Sequence, residues 1–120
     1  MAKILYVDDE ADIREVAQMA LELEASLEVR ACGSGAEALR VVPQWRPDLI
    51  LLDVMMPEMD GPTTLRALRE QGHQAPVVFI TARSQASEQQ ALIAAGAQGV
   101  ISKPFDPMKL AATVLQYLPG

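Results

Sequence analysis

The sequence predicts a doubly wound α/β fold: a five-stranded parallel sheet in the order 2-1-3-4-5, with helices on both faces as a three-layer sandwich. Three observations predict it. Short apolar stretches alternate along the chain with stretches of helical spacing, five of each. Strands joined through helices make a parallel sheet with right-handed crossovers. The stretch Pro47-Asp48-Leu49-Ile50-Leu51-Leu52-Asp53 is almost unbroken aliphatic, as expected of a strand buried on both faces. The chain has 120 residues, a length that suits these units in one domain spanning 1–120.

Ile4 to Val7 is a short apolar strand that ends in Asp8-Asp9-Glu10. The next helix is predicted from about Ala11 to Glu24. Ile13, Val16, Ala17, Ala20 and Leu21 recur at three- and four-residue spacing as its inner stripe. Glu10 and Asp12 suit the positive end of its dipole. Leu27 to Cys32 alternates Leu27, Val29 and Ala31 with Glu28 and Arg30, which predicts an edge strand. Gly33-Ser34-Gly35 is a turn with Ser34 as helix cap. A short helix follows from about Ala36 to Gln44, with Ala38, Leu39 and Val42 inward and Trp45 just beyond, covering the rim of the core.

After the third strand, Pro57 and Asp60-Gly61 supply turn chemistry. The next helix, about Pro62 to Gln71, has proline in its first turn and Leu65 and Leu68 inward. Pro76 to Ile80 is a fourth buried strand, ending at Thr81-Ala82. A helix over roughly Ser84 to Ala95 stops at Gly96. Gln98 to Ser102 is the fifth strand, followed by Lys103-Pro104-Phe105. The last helix runs from Asp106 or Pro107 to Leu118, with Leu110, Val114 and Leu118 inward. Neither a repeat nor a linker interrupts the alternation, whose length fits the flavodoxin-like doubly wound fold.

Composition narrows the function. The net charge is −6 and the pI about 4.6, against direct nucleic-acid binding, which needs a basic stripe. No apolar run has membrane-spanning length, and Met1-Ala2-Lys3 leads into a strand rather than a signal peptide, so a cytoplasmic protein is expected. The lone Cys32 forms no internal disulfide and reads as a small structural residue.

In a sheet of this order, ligands bind beyond the carboxyl ends of the strands, where strands one and three diverge. Asp8 and Asp9 end strand one, Asp53 ends strand three, Thr81 strand four and Lys103 strand five. Three crowded carboxylates repel one another, so either one takes up a proton or a cation enters. Oxygen ligands without His or Cys favour a hard ion such as Mg²⁺. The Thr81 hydroxyl and the Lys103 ammonium would complete a receptor for phosphoryl oxygens.

The residues Val7-Asp8-Asp9-Glu10, Asp53-Val54-Met55-Met56-Pro57-Glu58-Met59-Asp60-Gly61, Thr81-Ala82 and Lys103-Pro104-Phe105 resemble the receiver domain of two-component response regulators. The likeness spans essentially the whole chain. Each motif alone is weak; in this order, each after the expected strand, they are specific. The resemblance implies that Asp53 takes a phosphoryl group from a histidine kinase, in a domain that catalyses its own phosphorylation and dephosphorylation rather than acting as an enzyme on others. It implies Asp8, Asp9, Asp53 and the Met55 backbone carbonyl as Mg²⁺ ligands. Lys103 would bind a phosphoryl oxygen ahead of a cis bond to Pro104. Thr81 would donate its hydroxyl and turn inward, switching the helix 4–strand 5–helix 5 surface for a downstream protein. The phosphodonor would be a histidine kinase or phosphotransfer protein.

One position departs from the pattern. Similar domains usually carry Tyr or Phe three residues before the lysine; here Val100 stands there. A valine cannot swing between buried and exposed states with a comparable change of surface. Output is therefore expected from loop and helix-four movement around Thr81 to Ser84.

Other readings remain. Asp8 and Asp9 as helix caps would not explain why Asp53 and Lys103 share their rim. The residues of the Met55, Met56 and Met59 cluster read as loop packing rather than soft-metal ligands. His73 reads as a passive loop residue, and Arg83 as a group overhanging the site. A phosphate-independent interaction module on the same fold is the alternative function, favoured only by Val100. A flavin-binding or hydrolytic enzyme ranks last: no Gly/Ser/Thr-rich loop follows strand one, and no second catalytic base appears.

Overall fold

Alternation of period two along the strands decides which layer each side chain enters. A computed structural model describes residues 1–83 and 85–118. The strands are β1 (Ala2–Val7), β2 (Leu27–Cys32), β3 (Leu49–Asp53), β4 (Val77–Thr81) and β5 (Gly99–Ser102). The helices are α1 (Ala11–Glu22), α2 (Gly35–Trp45), α3 (Gly61–Glu70), α4 (Ala86–Ala94) and α5 (Pro107–Tyr117). The strands form one parallel sheet in the order β2-β1-β3-β4-β5, as the alternation predicts.

The central strands β3 and β4 are buried along their whole length. Leu5, Val7, Ile50, Leu52, Val77 and Phe79 point into one core layer with Ala38 and Val42 of α2 and Leu65 and Leu68 of α3. Ile4, Tyr6, Leu49, Leu51, Val78 and Ile80 point into the other, with Ala17 and Leu21 of α1 and Leu110 and Val114 of α5. Each fully buried Val, Leu, Ile or Phe side chain among these contributes about 1.5–3 kcal/mol by leaving water. The edge strand β2 alternates buried Leu27 and Val29 with exposed Glu28 and Arg30, as expected of its place.

Ser34 caps α2 by accepting from the Glu37 N–H at 3.1 Å. Asp60 caps α3, accepting from the Thr63 N–H at 2.9 Å, so the Asp60-Gly61 turn is also a helix start. Gly61 is required there by close approach. A Cβ on it would lie 2.5 Å from the Asp53 carbonyl oxygen and 3.0 Å from the Phe79 ring. Trp45 is the last residue of α2 rather than a neighbour beyond it. It is buried, with Lys3 and Arg30 within 5.6 and 5.0 Å of its ring.

Three further expectations are corrected. Val16, placed in the inner stripe of α1, is 46% exposed. The buried line is Ala17, Ala20 and Leu21, and Val16 stands at its margin. Instead it lines a groove of about 380 Å³ between α1 and the β5–α5 connection, with Ile13, Lys103 and Phe105. The helix expected to reach Glu24 ends at Glu22, leaving Leu23 exposed. The helix expected from Ser84 is observed from Ala86; Ser84 itself lies outside the described residues. Among the described residues, no helix is long and apolar enough to cross a membrane.

Candidate functional site

Register brings the polar strand ends to one level. Val7 of β1 lies beside Leu52 of β3, so Asp8, the next residue, is level with Asp53. Asp53 lies beside Ile80 of β4, and Thr81 beside Ser102 of β5, which places Lys103 one step further out. The Lys103 N–H donates to the Thr81 carbonyl at 2.7 Å, and the Lys103–Pro104 peptide is cis.

Asp8 and Asp53 are both buried, with Asp8 wholly shielded. Each of Asp8, Asp9 and Asp53 offers a carboxylate oxygen, and these oxygens all lie within 4.8 Å of one another. Such a set suits a hard divalent cation: it is all oxygen and multiply anionic. Lys103 reaches into the cluster. Its Nζ lies 3.1 Å from Asp8 Oδ2, 3.3 Å from Asp53 Oδ1 and 3.7 Å from Glu10 Oε1.

The charges act on one another. Burial pushes the Asp53 carboxyl up to about 7, and the neighbouring Asp8 charge adds to this; Lys103 opposes both. Burial alone would lower the Lys103 ammonium. Its hydrogen bonds and charge interactions with Asp8 and Asp53 outweigh that and hold it above its ordinary value. One lysine thus leaves the carboxylates only partly neutralised. A site able to gain a second cation, or a proton, is the arrangement that results.

Thr81 is buried, and its hydroxyl oxygen accepts from the Arg83 N–H at 3.0 Å. The Arg83 side chain runs across the loops. One guanidinium nitrogen lies 3.9 Å from the Met55 sulfur and another 3.8 Å from Glu88. Met55 itself is 60% exposed, two residues past the end of β3. Cys32 takes no part with its thiol, which burial and the Glu37 charge push up to about 12. Only its backbone contributes, its carbonyl accepting from the Asp8 N–H at 3.1 Å.

Two residues to which sequence spacing assigns no such role, Glu10 and Tyr6, join the cluster. Glu10 contributes a third carboxylate to Lys103, and its own N–H donates to Asp8 Oδ1 at 3.0 Å. Tyr6 donates its hydroxyl to Asp8 Oδ2 at 3.1 Å. Residues two apart on a strand share a face, so strand spacing puts Tyr6 on the face beneath Asp8 but leaves open where its hydroxyl ends. Burial, followed by the charge of Asp8, raises the Tyr6 hydroxyl above its ordinary value, keeping it a donor.

Fold and rim together define a doubly wound receiver-type signalling domain. Residues 4–115 match the family model of the response regulator receiver domain, and the chain belongs to that family. It is 39% identical over 112 residues to the response regulator MprA of Mycobacterium leprae, covering 93% of this chain and 49% of that protein. It is 40% identical over 117 residues to the transcriptional regulatory protein YvrH of Bacillus subtilis, covering 98% and 49%. The chain thus spans about half the length of the curated relatives it matches. Among solved structures it is similar to the chemotaxis protein CheY4 of Vibrio cholerae, with a TM-score of 0.89, 36% identity and coverage of 98% and 99%.

Proposed function

We propose that this chain is the phosphoacceptor unit of a two-component phosphorelay, spanning residues 1–120 and acting in the cytoplasm. A histidine kinase or phosphotransfer protein supplies the phosphoryl group. An oxygen of Asp53 attacks phosphorus in line; the new O–P bond forms as the P–N bond to the donor imidazole breaks. A carboxylate is a weak nucleophile, so the rate rests on positioning and on neutralising charge.

Lys103 balances the incoming oxygens with its ammonium. Thr81 offers its hydroxyl to a phosphoryl oxygen. Mg²⁺ held by Asp8, Asp9, Asp53 and the Met55 carbonyl would offset repulsion between the carboxylates and the phosphate. The product is an acyl phosphate, which water cleaves at the same site, returning Asp53. The signal is thereby limited in time.

The observation that carries this reading is the Lys103 ammonium lying between Asp8 and Asp53, at 3.1 and 3.3 Å. It fixes a cation beside a buried carboxylate whose neighbours suit a second one.

Phosphorylation brings nearly two further negative charges to the rim. The surface of α4, β5 and α5 is the proposed output face, presented to a downstream protein rather than to nucleic acid. α4 is suited to move, because none of its described residues is buried. The half-buried side chain on β5 is the valine Val100, which offers no aromatic gate. Incubation with a small-molecule phosphodonor such as acetyl phosphate, with and without Mg²⁺, tests the reading. A phosphoprotein that forms only with Mg²⁺ is expected; equal labelling without metal contradicts the metal-dependent mechanism.

A further inference from the structure

We propose that Tyr6 is a positioning residue for the metal site, its hydroxyl holding the Asp8 carboxylate in the orientation that receives Mg²⁺. The inference rests on the reading of Asp8 as a metal ligand.

Packing accounts for the ring of Tyr6 but not for its hydroxyl. The ring is wholly buried in the layer beneath α1 and α5, among aliphatic neighbours such as Ile4, Leu51 and Ile80. A phenylalanine would fill that space equally well. A buried hydroxyl requires a partner, and here the partner is Asp8 Oδ2 at 3.1 Å.

Three donors converge on Asp8, and they differ in kind. The Glu10 N–H takes Oδ1 at 3.0 Å. Tyr6 and Lys103 share Oδ2, each at 3.1 Å. The Glu10 N–H is fixed by the backbone and the Tyr6 hydroxyl by a packed ring. Lys103 sits on a flexible stem and divides its charge among Asp8, Asp53 and Glu10. When a phosphoryl group draws Lys103 away, the two fixed donors remain, one on each oxygen, and keep the carboxylate plane set.

Tyr6 also differs from Lys103 in charge. Its hydroxyl is neutral, so it orients the carboxylate without repelling a cation. Partners of this type behind a metal-binding carboxylate govern metal affinity, and their removal weakens it by about 10- to 100-fold.

The test is an NMR titration of the full chain with MgCl₂, comparing wild type with Tyr6→Phe. The expected result is a Kd for Mg²⁺ raised about tenfold in the variant. The Mg²⁺ concentration for half-maximal phosphorylation by acetyl phosphate should rise in parallel, while the rate at saturating Mg²⁺ stays within about twofold. A purely structural role would lower that saturating rate and leave the Kd alone, and this outcome overturns the proposal, as does an unchanged Kd with an unchanged rate. Should Tyr6→Phe fail to fold, the ¹³Cζ resonance of Tyr6 in the wild-type protein decides. It should shift as Mg²⁺ binds, and a resonance indifferent to the metal overturns the proposal. Wild-type protein that binds no Mg²⁺ overturns the metal-site reading together with this inference. Wild type and Tyr6→Phe that bind Mg²⁺ with the same Kd overturn this inference alone.

Discussion

Lys103 and Asp8 form an ion pair across the carboxyl edge of the sheet, Nζ to Oδ2 at 3.1 Å, with Asp8 wholly shielded and the lysine side chain 11% exposed. The two residues follow strands that are not neighbours; β3 and β4 lie between β1 and β5. The pair therefore ties together three strand ends, because the same ammonium reaches Asp53. Removing one member of a buried pair leaves the other charge without compensation.

Lys103→Met should lower the stability of the metal-free protein at neutral pH by about 3 kcal/mol, since it strands the Asp8 and Asp53 carboxylates. Urea denaturation measures this. Mg²⁺ should restore part of the loss, because a second cation can enter the same cluster. A variant as stable as wild type without metal would show that the pair carries no net weight.

The raised Asp53 carboxyl gives stability a pH dependence with a definite sign. Its ordinary value is 3.8, and the fold holds it at about 7. Between those values the native state binds more protons than the unfolded chain, so stability falls as pH rises through that window. Below it, both states are protonated and this effect is absent. Urea midpoints of the metal-free protein should therefore decline from about pH 5 to about pH 7, and saturating Mg²⁺ should flatten the decline. Midpoints that rise over this interval without metal would contradict the burial and charge argument.

The fold was legible because the chain states it twice, in period-two and helical spacing and in the turn residues between them. β3 could be read directly: five consecutive buried residues appear in the sequence as an aliphatic run ending in an acid. The site was legible in its strand-end residues, since a parallel sheet must bring them to one edge. What lay beyond reach were the choices made by packing. Val16 has the spacing of a core residue, yet faces a groove, because the small residues Ala17 and Ala20 bring α1 against the sheet on a neighbouring line. Tyr6 has the pattern of one more apolar strand residue, because periodicity shows which face a side chain takes and not where its hydroxyl ends. Glu10 looked like a helix-end charge, while the distance of its carboxylate from Lys103 depends on how the β1–α1 loop turns.

On the proposed reading, output runs through the segment from Thr81 to Ala82 and Arg83 and on to α4, without an aromatic gate at Val100. Beryllofluoride with Mg²⁺, a phosphoryl mimic, should shift the amide resonances of Ala82, Arg83 and the first turn of α4, while the side-chain rotamer of Val100 stays as it is. Unchanged resonances across that segment, with the mimic bound, would remove the proposed route.

Arg83 spans from Met55 to Glu88 across the loops that flank Asp53. Truncating it should let water reach the acyl phosphate more readily. Arg83→Ala is expected to speed dephosphorylation several-fold, about 1 kcal/mol in the barrier, followed by phosphate release from purified phosphoprotein. An unchanged rate would mean that the guanidinium does not screen the site.

Every role proposed for the rim depends on Asp53 being the phosphoacceptor. Intact-mass spectrometry after treatment with acetyl phosphate and Mg²⁺ tests it most directly, comparing wild type with Asp53→Asn. The amide keeps the shape of the side chain and lacks the nucleophilic oxygen anion. Wild type should gain one phosphoryl group and the variant none; a variant that gains the same mass to the same extent would show that Asp53 is not the phosphoacceptor.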